Sequence, residues 1–256
     1  MIVHTKAFAA YRVLSQQHLD FAVLVCTAVP ALKPELGDLT TPLKHVPDHF
    51  KAKPDSKAQL VRFAAGYQSE LARTNLITIF SYFESYVRGA LQEIIAFHGG
   101  DETFRNLAKH RAGVFLQAPP AAVQASKRKL QEPARVTKKD KYVTHSKALD
   151  NAGFRFPTEL LAYFGAVNLI AKSKDKVGMR AWEIPDVLQN GLLYSLSISE
   201  RKLFDDCRKL RNDIAHGKAP KVALKDSLNF ASALHGLGAK VDRHLVEHFF
   251  VLQSFV

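Results

Sequence analysis

Leu76, Ile79, Phe80, Phe83, Val87, Ala90, Leu91 and Ile94 recur at a spacing of three and four residues. That period winds an apolar stripe along one face of an α-helix and cannot line one face of a strand, whose side chains alternate every second residue. The spacing predicts a helix, or a helix pair, over Ser56–Phe97, with Gly66 as a weak point and Gly99-Gly100 as the stop. Alternating Val/Ile/Tyr-rich segments bounded by Asn-Gly or Asp-Gly turns do not occur, which leaves no place for a sheet. The chain is therefore expected to be all-α. With 256 residues, 47% of them hydrophobic, it has the means to bury a core and falls outside the disordered class.

The other segments fit the same class. A first helix is expected over Thr5–Val29, stopping at Pro30 and followed by a loop punctuated by Pro34, Pro42, Pro47 and Pro54. Helical pattern returns over Thr158–Ala171, and a short segment around Trp182–Tyr194 is broken by Pro185. Ser197 with Glu200 three residues on is a capping-box signature for a helix starting near Ser199, and Gly217 and Pro220 supply its stop. A last helix over Lys225–Phe255 carries Leu234, Leu237, Val241, Leu245, Phe249 and Leu252 on one side. The expected organisation is a single domain, a bundle of about five to seven helices. Residues 1–55 supply an N-terminal helix and a Pro-rich loop, and 99–157 form a basic insertion or arm.

Charge narrows the partners. Lys plus Arg number 36 against 24 Asp plus Glu, a formal net charge of +12. The surplus is uneven: Lys127, Arg128, Lys129, Arg135, Lys138, Lys139, Lys141 and Lys147 crowd one stretch of the insertion, with Tyr142 and His145 among them. Such a surface suits a polyanion, and phosphate contacts from Lys138, Lys139 and Lys141 would give salt-sensitive affinity rather than sequence choice; a plain solvated charge run is the competing reading. Cys26 and Cys207 are too few and too far apart for a disulfide framework or a zinc knuckle. The apolar run Phe21–Val29 is too short to span a bilayer and lacks a signal-peptide layout. A cytoplasmic protein with reduced thiols and no membrane partner is expected.

The chemistry-bearing stretch is Arg211-Asn212-Asp213-Ile214-Ala215-His216-Gly217, at the end of the capped helix. It places a permanent cation, an amide and a titratable base together. Arg-x4-His also occurs as Arg105…His110 and Arg243…His248, so spacing does not choose among the three; the helix end and the flanking Ile-Ala and Gly do. At about 100° per residue, Leu203, Phe204, Cys207, Leu210 and Ile214 share the core face and Arg211 sits at its margin. Asn212 and His216 are i,i+4 neighbours, close enough for the amide to orient the imidazole. Arg211 and His216 diverge by about 140° on an undistorted helix, so one phosphate is gripped by both only if the helix ends before His216 or two copies face each other.

Arg-Asn-x-Ile-Ala-His-Gly at the end of a penultimate core helix resembles the signature of HEPN domains, closest to the RiboL-PSP-type branch of bacterial defence and toxin loci. The resemblance covers mainly residues 70–97 and 182–256. It implies a helical, symmetric dimer and a metal-independent endoribonuclease without a cofactor, serving as a toxin or phage-defence effector with an antitoxin or defence-complex partner. A Glu in the earlier helix often accompanies the motif, and Glu84 matches it within Ser81-Tyr82-Phe83-Glu84-Ser85-Tyr86-Val87. Nucleotidyltransferase-paired members carry a Tyr two residues after the His, where this chain has Lys218. Silencing by tyrosine modification is therefore not expected.

These residues define the expected site. His216 is the candidate base or acid and Arg211 the stabiliser of transition-state charge; a carbonyl-capping His and a margin Arg with a wet head are their structural alternatives. Asn212 would orient His216. Glu84 would orient Arg211, or pair with Arg88 one turn on. Arg208, Arg88 and Lys218 are further candidates for contact with RNA. His244-Leu245-Val246-Glu247-His248 matches an inverted zinc-protease motif, but the chain has no room for the downstream ligand, and no metal is expected. The alternative function is an inactive HEPN-like RNA- or nucleotide-binding dimer acting as a regulatory or scaffold subunit.

Overall fold

A computed structural model describes residues 3–38, 56–106, 166–174, 178–192, 194–218 and 220–250, and all regular structure among them is helical. Helix α1 spans Lys6–Gly37, α2 Ser56–Phe97 and α3 Ala166–Ser173. Short 3-10, α and π turns follow over Ala181–Gly191, with Pro185 in their middle, and then α4 spans Ile198–Ala215 and α5 Leu224–His248.

The expected stripe of α2 is the spine of the core. Leu76, Ile79, Phe80, Phe83, Val87, Ala90, Leu91 and Ile94 are all buried. Around them pack Phe8 and Tyr11 of α1, Phe204 and Cys207 of α4, and Leu234, Leu237, Val241 and Leu245 of α5. Helix α1 lies antiparallel to α2: the main-chain N–H groups of Lys6 and Ala7 donate to Glu93, and His18 bonds Asn75. Helix α5 runs alongside α2, where Tyr86 Oη donates to Gly238 O at 3.2 Å and His98 Nε2 meets Phe249 O at 2.7 Å. An added Cβ at Gly238 would stand 3.3 Å from Tyr11 and 3.4 Å from Phe8, so its small size sets how closely α5 approaches α1.

Two carboxylates, one of them fully buried, hold the start of α1. Asp242 of α5, 0% exposed, accepts from Thr5 Oγ1 at 2.6 Å and from the Thr5 N–H, while Thr5 Oγ1 in turn caps Phe8 N. Together with Glu93 this places two acidic side chains at the positive end of the α1 dipole, where each satisfies N–H groups the helix itself leaves open.

Several boundaries differ from the expected ones. Helix α1 does not stop at Pro30; it continues through Pro30 and Pro34 to Gly37. Each proline removes one donor, a cost of about 3 kcal/mol in a helix interior. Against this, the extension buries Leu36, and Leu32 and Leu36 line an apolar groove together with Leu60, Phe63 and Tyr67 of α2. The start of the basic insertion is not loose: residues 100–106 are helical and Phe104 is buried against Ile95 and Ile170. Helix α5 ends at His248 rather than Phe255, and Leu252 lies outside the described residues. So do most of the Pro-rich loop, residues 107–165, and 158–165 of the helix expected over Thr158–Ala171. Among the described residues, no helix is long and apolar enough to cross a membrane.

Candidate functional site

Helix α4 presents the motif. The capping box forms as the spacing implies: Ser197 Oγ accepts from Glu200 N, and Glu200 Oε2 accepts from Ser197 N at 3.0 Å. At the other end the helix closes at Ala215, with His216 as its cap. Gly217 adopts φ 76°, in the left-handed region that favours glycine. Gly217 N donates to Ile214 O at 3.0 Å and Lys218 N to Asp213 O at 2.9 Å, the bond pair of a Schellman stop. Lys218 Nζ then reaches back to Asp213 Oδ1 at 2.8 Å and holds that carboxyl below its usual range. The helix thus ends before His216, the first of the two geometries that would free the imidazole from the 140° divergence.

Arg211 is held from several directions. Its Nη2 lies 3.4 Å from Glu84 Oε2 on α2, its Nη1 donates to Asn212 Oδ1 at 3.1 Å, and its guanidinium carbon sits 5.8 Å from the centre of the Phe80 ring. Its Nε is buried and makes no hydrogen bond. Glu84 is four residues after Phe80, so one turn of α2 provides both the ring beneath the guanidinium and the carboxylate beside it. Burial pushes the Glu84 carboxyl above its usual range, opposed by the positive charges of Arg211 and Arg88. Glu84 therefore stands under the influence of both arginines.

The expected partnerships are not all made in the expected way. The Asn212 amide oxygen is taken by Arg211, and the bond joining Asn212 to His216 is a main-chain one, His216 N to Asn212 O at 2.9 Å. The His216 side chain is exposed. Arg208 has its Nε 3.5 Å from Asp205 Oδ1, and Lys218 is engaged with Asp213 while remaining 70% exposed. Lys138, Lys139 and Lys141 lie outside the described residues, as does His110 of the rival Arg105 pair.

Three contributors lie outside the expected site. They are Phe80 under Arg211, Asp213 as the anchor of Lys218, and Arg73, whose Nε points at Pro220 O at 3.5 Å and ties the loop after the motif to α2. The first two had a signal, an aromatic residue one turn before Glu84 and an acid inside the motif; the third joins residues too distant in sequence for spacing to reveal. The rings of His244 and His248 lie tilted to one another with centres 4.7 Å apart, and His244 Nε2 is occupied by Leu192 O at 2.7 Å. Among the described residues, no group of three or more His, Cys, Asp or Glu side chains could hold a metal ion.

No protein-family model, no curated protein and no solved structure matches this chain. What the fold and site define is a class: a helical bundle that fixes an arginine by a partly buried carboxylate, with an exposed histidine at the helix end five residues on.

Proposed function

We propose that the chain is a metal-independent endoribonuclease of the HEPN type, acting as a symmetric dimer. The observation that carries this reading is the contrast within one motif: Arg211 is fixed against Glu84, Asn212 and Phe80, whereas His216 stands exposed at a capped helix end. A positioned cation stabilises charge that develops on phosphorus without having to reorganise. An accessible imidazole can take the proton from a ribose 2′-OH, whose oxygen then attacks the adjacent phosphorus. The P–O5′ bond breaks, a second imidazole (that of the other protomer) protonates the leaving oxygen, and a 2′,3′-cyclic phosphate remains. DNA lacks the nucleophile and is inert.

The dimer in this reading brings the guanidinium of one protomer to the imidazole of the other. Basic residues, with a formal net charge of +12, favour the approach of RNA. The resemblance to HEPN domains adds a toxin or defence role, and a nuclease of this kind calls for an inhibitor or partner that restrains it. The test is cleavage of RNA by purified protein in EDTA: wild type cuts, and Arg211→Ala and His216→Ala do not. Cleavage that survives both substitutions rejects the site.

One observation favours a second reading. Glu84 already offers Arg211 an anion, so a phosphate must share or displace it. A binding module would tolerate that arrangement, and would show salt-sensitive RNA binding with no cyclic-phosphate product.

A further inference from the structure

Helix α1 carries no charged side chain between Asp20 and Lys33, and from Phe21 to Leu32 only Ala22 is buried. Val23 and Leu24, 65% and 61% exposed, point about 100° apart on the helix. Phe21 and Leu32 are 54% and 45% exposed. A helix that is apolar on every side is normally buried. This stretch is bare, is too short to span a bilayer, and lacks the charged face of a helix that lies on one. Helix α2 is bare beside it, with Leu60 40% and Phe63 65% exposed.

Between them runs an open groove of ≈ 570 Å³, lined by α1 and α2 alone, with the buried Leu36, Ala64 and Leu71 as its floor. One wall is Phe21, Val25, Val29 and Leu32 of α1, the other Leu60, Phe63, Tyr67 and Thr74 of α2. Both rows advance in steps of three and four residues or their sum, the spacing by which side chains of one helix fit between those of another. Each row is roughly 20 Å long, so its complement is a helix of several turns. The linker 39–55, interrupted by Pro42, Pro47 and Pro54, offers no proline-free stretch of that length.

Two rows call for two covering helices, and the arm itself is such a pair. The open surface of Phe21, Leu24, Leu32, Leu60 and Phe63, with the half-buried residues between them, comes to several hundred Å2. That is the upper end of what monomers leave bare and close to the roughly 800 Å2 per partner of a standard interface. Charge permits like to meet like here. Although the chain carries +12, residues 20–37 and 56–74 hold Lys33, Lys57, Arg62 and Arg73 against Asp20, Glu35 and Glu70, so the arm is nearly neutral.

We infer that a second copy of this chain covers the groove: the α1–α2 arms of two protomers pair about a two-fold axis into a four-helix bundle, with Phe21, Leu32, Leu60 and Phe63 of each in its core. The pairing surface is separate from the Arg211 motif. The groove ends at Thr74, six residues before the Phe80 on which Arg211 rests. It stands on observations independent of the nuclease reading.

The test is sedimentation of the full chain over a range of concentrations. The expected species is a dimer that dissociates on dilution. Phe63→Glu and Leu32→Glu each place two carboxylates, one per protomer, in the apolar seam and should weaken it about a hundredfold or more. Both residues are exposed in the single chain, so helix content by circular dichroism should not change. Ile198→Glu, 91% exposed at the start of α4, should leave the dimer intact. So should Arg211→Ala, and so should replacement of 39–55 by a Gly/Ser linker of equal length. A monomer at every concentration would overturn the assignment, since the groove is then covered from within the chain, by a membrane or by another protein. A dimer indifferent to Phe63→Glu and Leu32→Glu would overturn it as well, while leaving the nuclease reading untouched. Loss of the dimer on replacing the linker would show the linker, not the second arm, to be the occupant.

Discussion

Glu84 Oε2 lies 3.4 Å from Arg211 Nη2, tying the middle of α2 to the last turn of α4. The carboxylate is partly buried, and burial raises its proton affinity despite Arg211 and Arg88. The folded state therefore holds the Glu84 proton more tightly than the unfolded state does. Stability from this group is present at low pH and is lost as pH rises through the window just above the ordinary glutamate value. Urea unfolding of wild type and Glu84→Gln across that window should show the wild type losing stability relative to the variant as pH rises. A difference that grows in the opposite direction would mean that pairing with Arg211 outweighs burial.

Thr5 and Asp242 form the other long-range anchor. Asp242→Ala leaves the Thr5 hydroxyl and N–H without their buried acceptor and should cost about 2–4 kcal/mol. Thr5→Ala removes the α1 cap and should cost about 1 kcal/mol or more. Because both act on one bond, the double variant should lose clearly less than the sum, which a double-mutant cycle by denaturant unfolding measures.

Two glycines with open space around them should respond oppositely to alanine. Gly217 has φ 76°, and Gly217→Ala should destabilise by about 1–2 kcal/mol although no atom lies within 4 Å of the added Cβ. It should also lower RNA cleavage, since the same turn aims His216. Gly236, inside α5 and equally unobstructed, should stabilise by about 0.5–1 kcal/mol on replacement by alanine. Thermal unfolding midpoints decide both.

The two thiols should separate kinetically. Cys207 is fully buried in the core and its thiol is pushed up to about 12 by burial, whereas Cys26 is half-exposed. A thiol-reactive dye should modify one cysteine in the native protein and the second only at the rate of unfolding. Rapid modification of both would contradict the packing of α4.

The parts of this architecture that the sequence reveals are those governed by local periodicity and capping. The α2 stripe, the Ser197–Glu200 box and the glycine stop at 217 each depend on residues within one or two turns. The continuation of α1 past Pro30 does not, because there Leu36 is buried and lines a groove shared with residues of α2 more than twenty positions away. Asp242 reads as an ordinary surface acid on α5 until Thr5 arrives from the far end of the chain. At the site, the pairing of Glu84 with Arg211 was one of two open alternatives, and burial of Glu84 beside both arginines combines them. The Asn212–Arg211 bond was missed because i,i+1 side chains do not face each other on a regular helix, and this one forms at its last turn.

In the proposed nuclease, Arg211 and His216 together cut RNA through the ribose 2′-OH. The most direct measurement is the terminus left on a short RNA incubated with the protein in EDTA, compared with a fully 2′-O-methylated copy of the same sequence. The account predicts 2′,3′-cyclic phosphate ends from the RNA, no cleavage of the methylated copy, and loss of both product and rate in His216→Ala. Cleavage of the methylated copy, or 3′-hydroxyl ends, would contradict it.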